Sequence, residues 1–268
     1  MKIYASALSD KGPFREKNED YFCVEKNAGL LMVADGIGGS LAGEVASRMA
    51  IEVVRDFITD EESPSQKKIS SSGEHSESAM KLAEGVKLAN RVIFDTSENN
   101  SSYHGMGTTL TAALIKEDRL SVVHAGDSRS YLFRAGCLQQ LTDDHSLVAE
   151  QVRLGMITEE EAERSSIKNV ITRSVGASPE LEVDINEINL ADGDILMLCS
   201  DGISGVLTNE EIAAHIMAAK KAEDLCQKLV NSATTAGSRD NMTVVAAYIF
   251  KDAFSHLFNS LASVVRRK

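Results

Sequence analysis

The stretch TLTAALIKEDRLSVVHAGDSRSYLFRAGCLQQLT, from Thr109 to Thr142, decides the fold class. Three short apolar runs, Thr109–Ile115, Leu120–Ala125 and Ser130–Arg134, follow one another with no helical segment between them. The tripeptide Arg134-Ala135-Gly136 is typical of a hairpin connection. Because strands joined without a helix pair antiparallel, the stretch favours antiparallel sheets over a doubly wound parallel sheet.

The rest of the chain mixes further strands with helices. Alternating or short apolar runs predict strands at Ile3–Leu8, Tyr21–Glu25, Leu30–Ala34, Leu181–Ile188, Ile195–Cys199 and Thr243–Phe250. Helical spacing predicts helices at Ala42–Ile58, Ala79–Asp95, His145–Gly155, Asn209–Ala219 and Ala222–Thr234. Helices must cover the sheet faces, so two stacked sheets would give layers of helix, sheet, sheet and helix.

Two segments differ in composition from the remainder, and we predict a single catalytic domain over residues 1–250. Residues 59–78 are polar and rich in serine, which favours a mobile surface loop between helices. The tail, residues 251–268, is amphipathic: it has apolar residues at helical spacing and ends in Arg-Arg-Lys. A membrane-surface or partner-binding helix is one interpretation of the tail. We favour packing on its own domain, without membrane contact.

The overall charge excludes one class of partner. The formal net charge of −12, from 40 acidic and 28 basic residues, repels nucleic acid and anionic lipid, so general nucleic-acid binding is disfavoured. The four cysteines are widely spaced, as is typical of reduced packing residues. No apolar run reaches the roughly 18 residues of a membrane span, and the start has no signal-peptide core. We therefore expect a cytoplasmic protein.

Aspartates recur beside the predicted strands. Residues 30–39 nearly repeat as residues 196–205, and in both copies an apolar strand ends in Asp-Gly. One copy alone would be interpreted as a turn. Five aspartates nevertheless lie beside strand ends: Asp20, Asp35, Asp127, Asp201 and Asp240. If these ends converge at one rim, the concentrated negative charge would be stabilised by hard cations such as Mg²⁺, Mn²⁺ or Ca²⁺.

Other catalytic patterns are missing from the sequence. The six histidines show no His-Glu-x-x-His spacing, and we interpret each as a surface or packing residue. There is no phosphate loop of the Gly-x-x-x-x-Gly-Lys-Ser/Thr type, no Gly-x-Ser-x-Gly elbow and no Gly-x-Gly-x-x-Gly fingerprint. Zinc hydrolysis, P-loop chemistry and dinucleotide binding therefore find no support.

A series of short motifs runs along nearly the whole chain. The motifs are Arg15-x-x-Asn18-Glu-Asp20, Asp35-Gly-Ile-Gly-Gly39 with Gly43-Glu44, Met106-Gly-Thr-Thr-Leu110, Gly126-Asp-Ser-Arg129, Leu141-Thr-x-Asp-His145-Ser146, Ile171-Thr-Arg-Ser-Val-Gly176, Cys199-Ser-Asp-Gly202 and Asp240-Asn241-x-Thr243. Each motif alone is weak, but their order and spacing are specific, and together they resemble the bacterial form of the type 2C metal-dependent serine/threonine protein phosphatases. The resemblance implies an α+β fold, a four-layer α-β-β-α sandwich with two stacked, mainly antiparallel sheets flanked by helices.

The resemblance also implies the metal ligands. Asp35 would bridge two Mn²⁺ or Mg²⁺ ions, and the backbone carbonyl of Gly36 would join the ligands. Three further aspartates would complete the site directly or through water, and Glu19 would contribute through water; the three are Asp20, Asp201 and Asp240. We expect a glycine after Asp35 because the backbone there must turn sharply and approach the ion closely.

Three further features follow from the same resemblance. Arg15 matches the arginine that binds the substrate phosphate, and its planar fork suits two phosphate oxygens. Asp127 matches a position that, with Asp201, holds a weaker third metal ion. Residues 144–169 match a mobile flap beside the site. The chain departs from the family at Ile37, where eukaryotic relatives carry a histidine, and at Ser165-Ser166, where relatives often show His-Pro.

The implied function is hydrolysis of phosphoserine and phosphothreonine in proteins by direct attack of a water that the dinuclear centre activates. Asp35, Asp201 and Arg15 are the expected catalytic residues. The implied partners are phosphorylated proteins, with a serine/threonine kinase and its targets among them, and we expect a monomer. Two alternatives remain: an inactive scaffold that binds phosphoproteins, and a hydrolase of small or specialised phosphate esters.

Overall fold

The computed structural model describes residues 1–37, 42–60 and 73–251. The strands are β1 (Lys2–Asp10), β2 (Asp20–Glu25), β3 (Leu30–Ile37), β4 (Gly107–Thr108), β5 (Leu110–Lys116), β6 (Arg119–Ala125), β7 (Arg129–Arg134), β8 (Cys137–Gln140), β9 (Asp184–Asn189), β10 (Ile195–Cys199) and β11 (Met242–Phe250). The α-helices are α1 (Ala42–Thr59), α2 (Glu77–Asn99), α3 (Leu147–Arg153), α4 (Glu159–Glu163), α5 (Asp201–Ser204), α6 (Asn209–Ala218) and α7 (Ala222–Thr235).

The strands form two sheets whose pairings are antiparallel. One sheet has the order β1-β11-β10-β7-β8, and the other has the order β2-β3-β5-β6-β9, with β4 paired to β3. Apolar side chains from both sheets, such as Leu31, Val33, Leu196 and Val245, share one buried cluster. The sheets are therefore stacked face to face.

Helices bury the two outer faces of this sandwich. The apolar sides of α1 and α2 pack with Leu30, Met32 and Ala112 of the β2-β3-β5-β6-β9 sheet. The apolar sides of α5, α6 and α7 pack with Met197 and Val244 of the other sheet. The predicted four-layer α-β-β-α sandwich with mainly antiparallel sheets is confirmed.

The hairpin expected at Arg134-Ala135-Gly136 joins β7 to β8. Arg134 pairs with Cys137, so the loop has two residues, and both Ala135 and Gly136 have positive φ. Such a loop matches the right-handed twist of the strands it connects. The strand that follows, β8, was not predicted, because its four residues are half polar and lie at the sheet edge.

The predicted loop at residues 59–78 is wrong at both ends. Thr59 is still the last residue of α1, and α2 begins at Glu77. Ser76, one of the serines in this segment, caps α2: its side chain accepts a hydrogen bond from the N–H of Ala79, and its own N–H donates to Glu187 at 3.0 Å. The polar residues at the end of the segment therefore belong to a capped helix start.

Some predictions fall on residues outside the described ranges. These are the middle of the predicted loop, residues 61–72, and the predicted amphipathic tail from residue 252 to 268. Gly38 and Gly39 of the motif after Asp35 also lie outside them. Within the described part of the chain, no helix combines the length and the apolar character that crossing a bilayer requires.

Candidate metal centre

The five aspartates singled out in the sequence come from both sheets. Asp20 begins β2 and lies directly opposite Asp35 of β3 in the strand register. Asp127 follows the end of β6, and Asp201 begins α5 directly after β10. Asp240 precedes β11, the strand that pairs with β10. The connections at one end of the sandwich therefore bring these carboxylates together.

The carboxylates are close enough to raise one another's pKa. Burial raises the pKa of Asp20 to about 7, and the charges of Asp201 and Asp240 add to this. Burial raises the pKa of Asp127 to about 7, with a contribution from Asp201. The pKa of Asp35 lies well above its usual value because of burial and the charges of the other four aspartates.

The pKa of the Asp201 carboxyl is raised as well. Burial and the charge of Asp240 raise its pKa to about 6, although a hydrogen bond with Asp35 and the positive charge of Arg15 oppose the increase. A bound cation would reverse these shifts, because positive charge favours the ionised carboxylates. The cluster is therefore electrostatically suited to divalent cations.

Hydrogen bonding leaves some oxygens of the cluster without partners. Asp20 Oδ2 accepts from Ser200 Oγ at 2.7 Å, but Asp20 Oδ1 and Asp201 Oδ1 are buried with no hydrogen-bond partner. Buried carboxylate oxygens are normally paired, so these two have free capacity for a cation. The donor set, oxygen without His or Cys, fits Mn²⁺ or Mg²⁺.

The carboxylates of the cluster lie near one another, but they do not surround a single point as the ligands of a bound cation would. In the described ranges, no three His, Cys, Asp or Glu side chains have the spacing of a finished cation site. Asp240 is instead turned to other groups: its Oδ2 accepts from Arg15 Nη2 at 2.6 Å and its Oδ1 from the N–H of Asn241 at 2.8 Å. Mutual repulsion of the carboxylates favours such an arrangement when no cation is present.

Hydroxyl groups fix the backbone around Asp35. The N–H of Asp35 donates to Thr109 Oγ1 at 2.9 Å, and Thr108 Oγ1 donates to the carbonyl oxygen of Asp35 at 2.8 Å. Thr109 Oγ1 also contacts Ser128 Oγ at 2.7 Å, which ties β3 to the segment after Asp127. Asp35 therefore sits on a backbone that is held before any ligand binds.

The sharp turn expected at Gly36 is wrong. Gly36 lies within β3 and does not have positive φ, so no sharp turn occurs there. Instead, a Cβ at Gly36 would lie 2.2 Å from the carbonyl oxygen of Gly43 and 2.7 Å from that of Glu19. The glycine is required because the start of α1 crosses β3 with no room for a side chain.

Arg15 and Glu19 lie on the connection between β1 and β2, at the edge of the carboxylate cluster. Arg15 is about half exposed and makes its ion pair with Asp240 at 2.6 Å. Burial raises the pKa of Glu19. Asn241 holds this connection in place: its Nδ2 donates to the carbonyls of Lys11 and Lys17, and its Oδ1 accepts from the N–H of Glu19.

The cluster thus contains the aspartates, Arg15 and Glu19, which the sequence had predicted to act together. Sequence reasoning missed the supporting roles of Asn241, Thr109 and Ser200, although all three stand inside the quoted motifs. It also missed His145, which is 4% exposed and bonds to Gly126, the residue before Asp127. Ile37 is partly exposed at the end of β3.

Comparison with known proteins agrees with the geometry. The protein phosphatase 2C family matches residues 15–244. The serine/threonine phosphatase stp of Listeria monocytogenes is 32% identical over 253 residues, 91% of this chain and 94% of the relative. The protein phosphatase PhpP of Streptococcus pneumoniae is 34% identical over 242 residues, 89% of this chain and 94% of the relative.

Solved structures show the same architecture. The serine/threonine phosphatase PstP/Ppp of Mycobacterium tuberculosis superposes with a TM-score of 0.83 at 34% identity, covering 93% of this chain and 99% of that one. The catalytic domain of PstP in complex with two manganese ions gives a TM-score of 0.80 at 34% identity, with the same coverage. By its sequence match, its layers and its carboxylate cluster, this chain belongs to the protein phosphatase 2C family.

Proposed function

We propose that the protein is a metal-dependent phosphatase that hydrolyses phosphoserine and phosphothreonine in proteins. The observation that carries the proposal is the cluster of buried, mutually repelling carboxylates with unpaired oxygens, which has Arg15 at its edge. Asp20, Asp35, the Gly36 carbonyl, Asp201 and Asp240 would hold two Mn²⁺ or Mg²⁺ ions, with Glu19 acting through water. Asp127 and Asp201 would hold a third, weaker ion.

Two such cations, when bound, supply an activated water nucleophile and neutralise charge on the phosphoryl group. The chain's own residues position the substrate. The Arg15 guanidinium would leave its ion pair with Asp240 and bind two phosphate oxygens, because its fork matches that geometry. Ile37 has no titratable group, so the proton for the leaving oxygen must come from elsewhere than this position.

The substrates would be phosphorylated proteins, including a serine/threonine kinase and its targets, in the cytoplasm. Two alternative functions compete with this one. An inactive phosphoprotein-binding scaffold would be expected to lose metal-binding aspartates, and all five are present. A hydrolase of small or specialised phosphate esters would keep them, so only activity separates it from a protein phosphatase.

The test compares a phosphoserine peptide with an aryl phosphate, each assayed with and without Mn²⁺. A protein phosphatase should hydrolyse both only with Mn²⁺, with the higher kcat/KM for the peptide. Preference for the aryl phosphate would favour the small-ester alternative. No turnover of either substrate, together with binding of the phosphopeptide, would favour the scaffold and contradict the proposal.

Arg15→Ala is expected to raise the KM for the phosphopeptide by about tenfold or more while changing kcat less, because a charge-assisted phosphate contact is lost. Steady-state kinetics at saturating Mn²⁺ measure this. Arg239→Ala is the matched control, since Arg239 is an exposed arginine that lies over the Phe14 ring at 5.4 Å. Equal KM values for wild type and Arg15→Ala would exclude a phosphate contact at Arg15.

A further inference from the structure

The two ends of the predicted flap, residues 144–169, lie next to each other where the flap joins the rest of the domain. Ser146 and Ile171 form an antiparallel bridge, and the N–H of Leu147 donates to the carbonyl of Val170 at 2.9 Å. The N–H of Thr172 donates to the carbonyl of His145 at 2.8 Å. Both ends of the flap are thus joined next to His145.

His145 also holds the residue before Asp127 from two sides. Its N–H donates to the carbonyl of Gly126 at 2.7 Å, and its Nδ1 accepts from the N–H of Gly126 at 3.1 Å. Gly126 has φ of +119°, and a Cβ there would lie 2.6 Å from Thr109 side-chain atoms. The peptide that presents Asp127 is therefore enclosed between Thr109 and His145.

The other ring nitrogen of His145, Nε2, points towards Asp184 at the start of β9. Because Nδ1 accepts a hydrogen bond, a neutral ring carries its proton on Nε2. Nε2 lies 3.1 Å from Asp184 Oδ2 and 3.1 Å from Arg173 Nη1, and Arg173 Nη1 also donates to Asp184 Oδ1 at 2.6 Å. Of these two neighbours only the Asp184 carboxylate can accept the Nε2 proton. Burial lowers the pKa of His145, which agrees with this neutral form.

A second contact joins the same two regions. Arg129, two residues after Asp127, makes a two-pronged ion pair with Asp144, the first residue of the flap. The distances are 2.9 Å from Nε to Oδ1 and 2.7 Å from Nη2 to Oδ2. The Asp127 segment and the flap are therefore linked by a charged pair as well as by the imidazole.

We propose that His145 is a positioning residue: its imidazole holds the backbone that presents Asp127 to a cation and joins that backbone to both ends of the flap. The part that concerns the cation rests on the proposed function. The role requires a ring nitrogen acceptor for the N–H of Gly126 and a donor toward Asp184. A residue that only filled space would need neither group.

Three variants separate these roles. His145→Gln loses the acceptor at the Nδ1 position, whereas His145→Asn keeps an oxygen there. Ser146→Ala is the matched control: Ser146 is also buried and caps α3 by accepting from the N–H of Ala149, but its side chain does not bond to Gly126.

The first measurement is amide hydrogen exchange of the metal-free protein, which does not depend on activity. We expect His145→Gln to speed exchange by about tenfold both at residues 126–130 and in the flap, consistent with loss of one buried hydrogen bond. We expect Ser146→Ala to speed it in the flap alone. Unchanged exchange at residues 126–130 in His145→Gln would overturn the proposal.

The second measurement is a double-mutant cycle with Asp127→Ala, read as the Mn²⁺ concentration for half-maximal activity. With Asp127 present, His145→Gln should raise that Mn²⁺ concentration about tenfold, and His145→Asn should raise it less. In the Asp127→Ala background, His145→Gln should raise it less than twofold. An equal increase in both backgrounds would show that His145 does not act through Asp127. If the wild-type protein has no activity, the proposed function fails, while hydrogen exchange still decides the positioning role.

Discussion

Asp35→Asn is expected to abolish Mn²⁺-dependent hydrolysis of a phosphoserine peptide, with kcat lowered on the order of a thousandfold or more. Asp35 lies directly opposite Asp20 in the strand register, and burial and the charges of the other four aspartates raise its pKa, so its carboxylate belongs to the cluster. The amide has the same shape but lacks the charge that holds two cations. Single-turnover assays at saturating Mn²⁺ measure the loss, and activity near the wild-type level would reject the proposed metal site.

The same substitution should have the opposite effect on stability. Without metal, Asp35→Asn removes one of several repelling buried charges, so its Tm at pH 8 should exceed that of the wild type. Asp194→Asn is the matched control, because Asp194 is 1% exposed and is paired with Arg134 at 2.7 Å. We expect Asp194→Asn to lower the Tm and to retain kcat.

Stabilisation by Mn²⁺ is expected to depend strongly on pH. The carboxylates of Asp20, Asp127 and Asp201 have pKa values raised from 3.8 to about 7, 7 and 6. Between pH 4 and pH 7 they are thus more protonated in the folded chain than in the unfolded chain, and the metal-free protein loses their contribution to stability as the pH rises. Cations bind the ionised form, so their effect grows over the same range.

We therefore expect saturating Mn²⁺ to raise the Tm on the order of 10 °C at pH 8 and very little at pH 4.5. Thermal unfolding with Mn²⁺ and with a chelator measures the difference at each pH. Buried His124 and His145, whose pKa values are lowered, reduce stability at acidic pH with or without Mn²⁺, so comparison at equal pH removes their effect. Equal stabilisation by Mn²⁺ at both pH values would contradict the carboxylate site.

Much of the architecture could be predicted because the spacing of apolar residues along a short segment indicates whether it forms a strand or a helix. The run Ile195–Cys199 has the same bounds in the sequence prediction and in the structure, since a buried central strand is continuously apolar. The edge strand β8 could not be predicted in this way, because one face is open and its residues are half polar. The first residues of α2 were missed for a similar reason: the helix begins at Glu77 after the polar cap Ser76, whereas the sequence pattern predicted a start at Ala79.

The five aspartates could be predicted from the sequence because each lies beside a strand with a clear apolar pattern. The residues that hold the cluster in place could not be predicted in this way. Asn241 acts on Lys11, Lys17 and Glu19, more than 200 positions away, and no spacing rule links such residues. Gly36 illustrates the same difficulty. Its requirement arises from a helix that crosses the strand, not from its own backbone conformation. His145 stands in a quoted motif but was interpreted as a surface or packing residue, whereas its hydrogen bonds join it to Gly126 and Asp184 in two other segments of the chain.

The origin of the carboxylates in both sheets has a mechanical consequence. Asp20 and Asp35 belong to one sheet, whereas Asp201 and Asp240 flank strands of the other. Ions shared among them would cross-link the two halves of the sandwich and close loops of more than 150 residues, much as a disulfide restricts an unfolded chain. Removing the ions would then loosen the packing between the two sheets first at the end that carries the carboxylate cluster, while the sheets stay packed at the opposite end.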